Sequence, residues 1–303
     1  MLKKISRYIT HPHNLLYKLL NYLINSPFSV IISDNVFLKL QYRLTTSMRL
    51  RLVNPVYFNE KIQWLKLHDR KPDYTQLADK YNVRKYISET IGEKYLFPLL
   101  GVFDSFEDIS FDKLPNQFVI KCTHDSGSIV ICQDKDKFNI DMANRIINKS
   151  LKHNYYYHGR EWVYKNIIPR IIIEKYMIDE SATELKDYKI FCFNGHPKII
   201  QVDFNRFTNH KRNFYSLDWE FLSLELRYPA HREIIIEKPV NLSLMLQLAG
   251  KLSQGFPFLR VDFYSINQNI YFGELTFYPE NGMGKFNTCE WDLLLGSWIE
   301  LPV

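Results

Sequence analysis

Glycine is in short supply. The chain has 11 in 303 residues, about half the usual share of roughly 7%, so each one marks a place worth locating. Cysteine is scarcer still: Cys122, Cys132, Cys192 and Cys289. No two stand in C-x-x-C spacing, which excludes a zinc ribbon or a thioredoxin-type motif. Four are too few for a disulfide scaffold in a chain this long. They read as small buried hydrophobes in a reducing, cytosolic compartment. Long apolar runs are also missing. The richest early stretch, 15–32, is broken by Lys18, Asn21, Asn25, Ser26 and Pro27 and does not make a membrane-spanning helix. The start, Met1-Leu2-Lys3-Lys4, is basic but no apolar segment with a small-residue cleavage site follows, so no secretory leader is expected.

Acidic residues are nearly absent from the first 53 positions. Eight basic residues stand there (Lys3, Lys4, Arg7, Lys18, Lys39, Arg43, Arg49, Arg51) against Asp34 alone, a balance of +7. The formal net charge of the whole is +6, so the other 250 residues carry −1. An excess of this sign points to an anionic partner. The segment also has Leu15, Leu16, Leu19, Leu20 and Leu23 near helical spacing. That pattern suits a helix packed on the body, or a peripheral contact with a membrane surface. Elsewhere the composition is that of a folded protein: 46% hydrophobic and 24% charged, with 20 Tyr and 21 Phe. The length suits two lobes or domains.

Helical periodicity comes first along the chain and strand periodicity later. Asn59 is placed to cap a helix through Glu60–Leu65, and the spacing predicts a second helix over 74–90 with Leu77, Tyr81 and Ile87 inward. Lys80 and Arg84 then lie one turn apart, able to grip an anion or simply to face solvent. From Asn116 the period changes to two. Strands are expected at 117–121, 128–132, 170–176, 188–193, 198–204, 213–217, 258–264 and 269–275. Helices are expected at 142–151, at 241–254 capped by Asn241, and at 291–298. The fold class is α+β.

Four constellations carry chemistry. Lys121-Cys122-Thr123-His124-Asp125-Ser126-Gly127-Ser128 ends one strand, turns, and begins another. It lacks G-x-x-x-x-G-K-[ST] and is no P-loop, but such a hairpin can fold over phosphates with the Lys as a point charge. In Arg260-Val261-Asp262, alternation puts Arg260 and Asp262 on one face; in Glu274-Leu275-Thr276 it does the same for Glu274 and Thr276. If these strands pair, the two carboxylates converge, as a Mg²⁺ site needs; a surface salt-bridge ladder is the other outcome. The run Tyr278-Pro279-Glu280-Asn281-Gly282-Met283-Gly284-Lys285 is rich in the scarce glycine and marks a close backbone approach. Glu174-Lys175-Tyr176-Met177 ends an isoleucine-rich strand whose backbone can meet a flat heterocycle.

Each piece is weak alone, but their order resembles the ATP-grasp superfamily. The longer strings, Phe58-Asn59-Glu60-Lys61-Ile62-Gln63-Trp64, 121–128, Asp187-Tyr188-Lys189 and 274–286, look like its teichuronopeptide-biosynthesis, TupA-like branch. The resemblance covers about 55–303. It implies a two-lobe fold with nucleotide between the lobes, after a helical N-terminal region. The expected division is a basic helical appendage (1–53), a helical region (54–115), a small lobe (116–176) and a large lobe with the metal site (177–303).

By resemblance, Lys121 would hold nucleotide phosphate under the loop of His124, Ser126, Gly127 and Ser128. Glu174, Lys175, Tyr176 and Met177 would form the adenine hinge. Asp187 would take the ribose hydroxyls and Lys189 would reach a phosphate. Asp262 and Glu274 would bind two Mg²⁺, with Thr276 standing where the family often has Asn, a weaker ligand for the second ion. Arg260 would stabilise the charged intermediate. The activity implied is an ATP- and Mg²⁺-dependent carboxylate–amine ligase of cell-surface polysaccharide or capsule biosynthesis. It would join an amine, such as an amino acid, to a carboxylate, such as a uronic acid, through an acyl phosphate. The same acidic strands would serve a glycosyltransferase or other transferase using a nucleotide-phosphate substrate. No nucleic-acid-binding signature is visible. The expected location is cytoplasmic, with a peripheral membrane contact through 1–53.

Overall fold

The computed structural model describes residues 12–179, 185–204 and 209–302. Lys3, Lys4 and Arg7, and the side chains of Leu15, Leu16 and Leu19, lie outside the described residues. Two antiparallel sheets organise the chain. The smaller contains β1 (Leu99–Phe103), β2 (Phe118–Cys122), β3 (Ile129–Cys132) and β4 (Ile171–Lys175), in the order β1-β4-β2-β3. The larger contains β5 (Asp187–Phe193), β6 (His196–Phe204), β7 (Lys211–Tyr215), β8 (Phe221–Leu222), β9 (Phe258–Ile266) and β10 (Asn269–Thr276), in the order β10-β9-β5-β6-β7-β8.

The pleat of β5 sets the plan of the large sheet. Every residue of this central strand is buried. On one face stand Tyr188, Ile190 and Cys192; the Cys192 thiol reaches the Ala249 carbonyl of the Leu242–Leu252 helix. The other face changes character along its length. Phe191 and Phe193 pack edge-on against Phe258, and Phe58 closes on Phe193 from the Phe58–His68 helix. Asp187 and Lys189 continue that face as charges. The small sheet has its own core, in which Phe118, Ile120, Ile171 and Ile173 meet Ala143 and Ile147 of the Ile140–Leu151 helix.

Four local expectations are corrected. The helix expected over 74–90 is two, Asp73–Ala78 and Val83–Thr90. Asp79 breaks it: its Oδ1 accepts from the Tyr81 and Asn82 amides, both at 2.8 Å, the local side-chain bond that competes with helix. The break lets the Lys80 amide donate to Thr123 O of the β2–β3 loop. Asn59 lies inside its helix rather than capping it; Glu60 Oε2 instead accepts from the Val56 and Tyr57 amides. Asn241 stands at the N-cap position but makes no side-chain cap bond, and its amide donates to Gln268 O. β1 was not expected, because its partner β4 lies some 70 residues on.

The N-terminal helices Pro12–Asn25 and Asp34–Thr46 share a core of Ile24, Phe37, Leu38, Tyr42 and Leu44 with Met283. Asp34 accepts from Arg70 Nη2 (2.6 Å) and from the Tyr156 hydroxyl, and lies 3.5 Å from Arg160 Nε. Among the described residues, no helix is long and apolar enough to cross a membrane.

Candidate active site

A cleft of about 470 Å³ opens between the two sheets. Its floor is the charged end of β5, β9 and β10. Register places Asp262 opposite both Lys189 and Glu274, and Thr276 opposite Arg260. The pairing of β9 with β10 shifts between Phe272 and Glu274, a bulge of the kind that re-aims a side chain. Gly273 stands at the shift because a Cβ there would lie 3.1 Å from Asp262 O and 3.0 Å from the Tyr264 ring.

The resulting network is tight. Arg260 grips Asp262 in a bidentate pair, Nε to Oδ1 and Nη2 to Oδ2, both 2.7 Å. Arg260 Nη2 also donates to Glu274 Oε1 and Thr276 Oγ1, both at 2.9 Å. Lys189 Nζ bridges Asp187 Oδ2 (2.9 Å) and Asp262 Oδ2. Burial works against the Lys189 charge, but Asp187 and Asp262 outweigh it and hold the ammonium above the usual lysine range. Burial likewise opposes ionisation of Glu274, yet Arg260, Lys189 and Lys80 hold its carboxyl below the ordinary range. The side chains of Asp262, Lys189 and Arg260 are 1%, 7% and 8% exposed, which rules out a surface ladder; Glu274 is 44% exposed.

The roof comes from the small sheet. Lys121 Nζ pairs with Glu174 Oε2 at 2.7 Å, and Arg84 Nη1 reaches Glu174 Oε1 at 3.3 Å. Lys80, Lys121, Ser126 and Gly127 line the cleft. Lys80 is thus a half-buried cleft group, donating to Asp125 O, while Arg84 stands behind Glu174 outside the cleft lining. The other five expected loop and hinge residues place their side chains outside the cleft lining. His124 is buried with Nε2 at 3.2 Å from both Ser150 O and His153 O, a donor fixing the Ile140–Leu151 helix rather than a cleft residue. Ser128 Oγ donates to Asp125 Oδ1 (2.6 Å) and accepts from the Cys122 amide, so it knits the loop. Lys175 is exposed and its amide donates to Pro98 O; the Tyr176 hydroxyl accepts from Gln133 Nε2. Met177 is half-buried and outside the cleft lining. Asp187 is drawn to Lys189 at the floor.

The far wall is the glycine-bearing run. Glu280 and Asn281 both take left-handed backbone angles, φ 50° and 57°, a conformation that costs a non-glycine residue about 1–2 kcal/mol. Arg212 Nη1 (2.7 Å) and Arg227 Nη1 (2.6 Å) hold the Glu280 carboxylate, and Arg212 Nε holds Asp203 at 2.6 Å. From below, Gln63 Nε2 donates to Asn281 O and Gly282 O, both at 2.8 Å. Lys66 Nζ donates to Gly159 O (3.0 Å), Asn281 O (2.8 Å) and Asn281 Oδ1. Asn59 Nδ2 donates to Gly284 O at 2.9 Å, and its amide to Asp292 Oδ1 at 3.0 Å. The 58–64 and 278–285 strings, some 220 residues apart, are one assembly. Arg212, Asp203, Glu161 and Lys66 were not singled out from sequence. Only the alternation of Asp203 and Arg212 into their strands offered a signal.

Burial, partly offset by the Asn59 bonds, pushes the Asp292 carboxyl up to about 6 from 3.8. The folded state therefore keeps this proton where the unfolded chain has lost it. Stability should fall as pH rises from about 4 to about 6, by up to about 3 kcal/mol. Asp292→Asn should flatten that limb in urea titrations across the window; an unchanged limb would assign it elsewhere.

Two antiparallel sheets closing on a cleft, with the Arg260–Asp262–Glu274 floor and the Lys121 loop as roof, define an ATP-grasp architecture. The TupA-like ATPgrasp family matches residues 60–300, and the chain belongs to it. Among solved structures, it is similar to D-alanine–D-alanine ligase from Bacillus anthracis complexed with ATP, at 18% identity over 66% of this chain and 53% of that one, TM-score 0.37. D-alanyl-alanine synthetase A from Vibrio cholerae matches at 12% identity over 74% and 64%, TM-score 0.42. D-alanine–D-alanine ligase from Helicobacter pylori matches at 11% over 80% and 69%, TM-score 0.41. The chain thus spans about half to two-thirds of the length of these enzymes. No curated protein matches it.

Proposed function

We propose that this protein is an ATP- and Mg²⁺-dependent carboxylate–amine ligase acting on a cell-surface polysaccharide or its precursor. One observation carries the reading: the buried Arg260–Asp262–Lys189 network presents the half-exposed Glu274 to a cleft whose opposite wall is Lys121 and the Ser126–Gly127 turn.

The donor set fits a metal–nucleotide complex. Among the described residues, Glu274 Oε2 has no hydrogen bond, and oxygen on half-exposed carboxylate is what Mg²⁺ takes. Among the described residues, six Asp or Glu and six Lys or Arg side chains line the cleft, so a polyphosphate would arrive best with its charge already neutralised. Asp262, Glu274 and Thr276 would hold the metal, and Lys121 and Lys80 the phosphates. Glu174, anchored by Lys121 and Arg84, would sit at the base end, with the 175–177 backbone beside it. Bound ATP and Mg²⁺ supply an activated phosphoryl group that turns a carboxylate into a reactive acyl donor. Arg260 stays charged beside Asp262 and is placed to stabilise an oxyanion. Lys189 keeps Asp262 oriented. The exposed apolar side chains Tyr22, Phe28 and Ile31 (73%, 67% and 81%) support membrane-surface contact by the N-terminal segment.

The test is incubation with ATP, Mg²⁺, an amino-acid pool and uronic-acid acceptors, with mass spectrometry of the products. ADP, phosphate and an amide are expected. Release of UDP from a nucleotide sugar, without ATP consumption, would replace ligation by glycosyl transfer.

A further inference from the structure

The cleft contains one carboxylate that no structural role uses. Glu161 is 6% exposed and lines the cleft. It immediately precedes the Trp162–Tyr164 turn. Among the described residues, its side chain forms no hydrogen bond and no ion pair within 4.0 Å. Leaving an ionised carboxylate desolvated and unpaired is expensive, so its place in a cleft needs a reason. Lys66 is the positive charge that it feels most strongly, but Lys66 Nζ is already committed to Gly159 O and Asn281. Around Glu161 the cleft is aromatic. Tyr155, Tyr164 and Tyr278 all line it and all feel the Glu161 charge. Tyr155 and Tyr164 meet edge to face, 5.0 Å between centroids. A buried carboxylate among tyrosine rings is the arrangement that takes up an organic ammonium, through charge and ring faces together.

We propose that Glu161, with Tyr155, Tyr164 and Tyr278, is the subsite for the amine co-substrate, a primary ammonium, and that the Glu161 carboxylate accepts its proton. The inference rests on the ligase reading above. The ammonium gives its proton to the carboxylate, and the nitrogen lone pair attacks the acyl carbon of the activated substrate. The C–N bond forms, the C–O bond to phosphate breaks, and phosphate leaves with the electron pair and takes up the second proton that the nitrogen sheds. Burial and the neighbouring Glu274 and Glu280, against Lys66 and Arg260, push the Glu161 carboxyl up to about 7, where a proton acceptor works near neutrality.

Two measurements on the full-length protein test this. Binding of ethylammonium chloride, followed by NMR titration, should weaken at least tenfold in Glu161→Gln; equal binding in the two proteins would overturn the subsite whether or not ligation occurs. The second compares nucleophiles on the carboxylate acceptor identified by the product search. Hydroxylamine is neutral at pH 7 and needs no proton acceptor. Glu161→Gln should keep hydroxamate formation within a few-fold of the parent while amide formation falls by about 10²–10⁴-fold. Parallel loss of both would make Glu161 structural and overturn the proton-acceptor role. Glu161→Asp, which keeps the charge, should recover part of the amide rate if the Gln variant folds poorly. Failure of the parent to consume ATP with any acceptor would overturn the ligase reading and the proton-acceptor role with it, leaving ethylammonium binding to decide the subsite.

Discussion

Glu274→Gln should lower ATP-dependent turnover by about 10³-fold or more, the scale of losing a group that stabilises charge developing in phosphoryl transfer. Its fold should survive. The Glu274 side chain is 44% exposed and holds only Oε1 against Arg260 and Thr276, so an amide oxygen can replace that contact. What it loses is the negative charge and the second oxygen, which under the proposed ligase reading hold the metal; the Mg²⁺ concentration for half-maximal rate should rise. Asp262→Asn should behave differently. Its carboxylate is 1% exposed and neutralises Arg260 and Lys189 together. Removing it leaves buried cations under-compensated, at a cost of about 3–5 kcal/mol. Activity and stability should fall together, read as turnover and thermal midpoint on the same preparations. Turnover and Mg²⁺ dependence left intact in both variants would make the metal assignment wrong.

Lys66→Met should be the most damaging substitution outside the floor. Lys66 is fully buried, and Gly159 O, Asn281 O and Asn281 Oδ1 all accept from it. A methionine fills the space but donates nothing, so Gly159 O and Asn281 Oδ1 lose this donor, Asn281 O keeps only Gln63, and Glu161 loses the positive charge it feels most strongly. A loss of about 3–5 kcal/mol is expected, measured by urea unfolding with the slope held constant. The left-handed angles at Glu280 and Asn281 depend on this anchoring. The variant should therefore lose activity even at temperatures where it stays folded. A change under 1 kcal/mol would show that the wall is held by other means.

What the sequence disclosed follows the reach of each interaction. Asp262 and Glu274 were legible because alternation on two adjacent strands is a local rule, and a one-hairpin connection almost dictates their pairing. The β2–β3 hairpin was legible for the same reason. His124 was misplaced because a polar residue in a loop carries no sign of which way its ring turns; the carbonyls it serves belong to residues 150 and 153. β1 is apolar on both sides and gains its identity from β4. Glu161 becomes conspicuous only when its neighbours are known, since what sets it apart is that, among the described residues, no side chain pairs with it. Asn59, Gln63 and Lys66 looked like a helix start followed by its polar face. Their acceptors in Asn281, Gly282 and Gly284 could not be read from any local window.

Asp34 ties the front of the chain to its back. It is the single acid of the first 53 residues, and it neutralises Arg160, whose side chain is 1% exposed and stands next to Glu161 in the chain. A chain emerging from the ribosome makes Asp34 long before Arg160, and Met283 later still. The front of the molecule must therefore wait, half-finished, for its back. Trimming those first residues would withdraw a counter-charge one residue from the proposed amine pocket. The rest of the chain would then have to assemble around a guanidinium without its counter-ion.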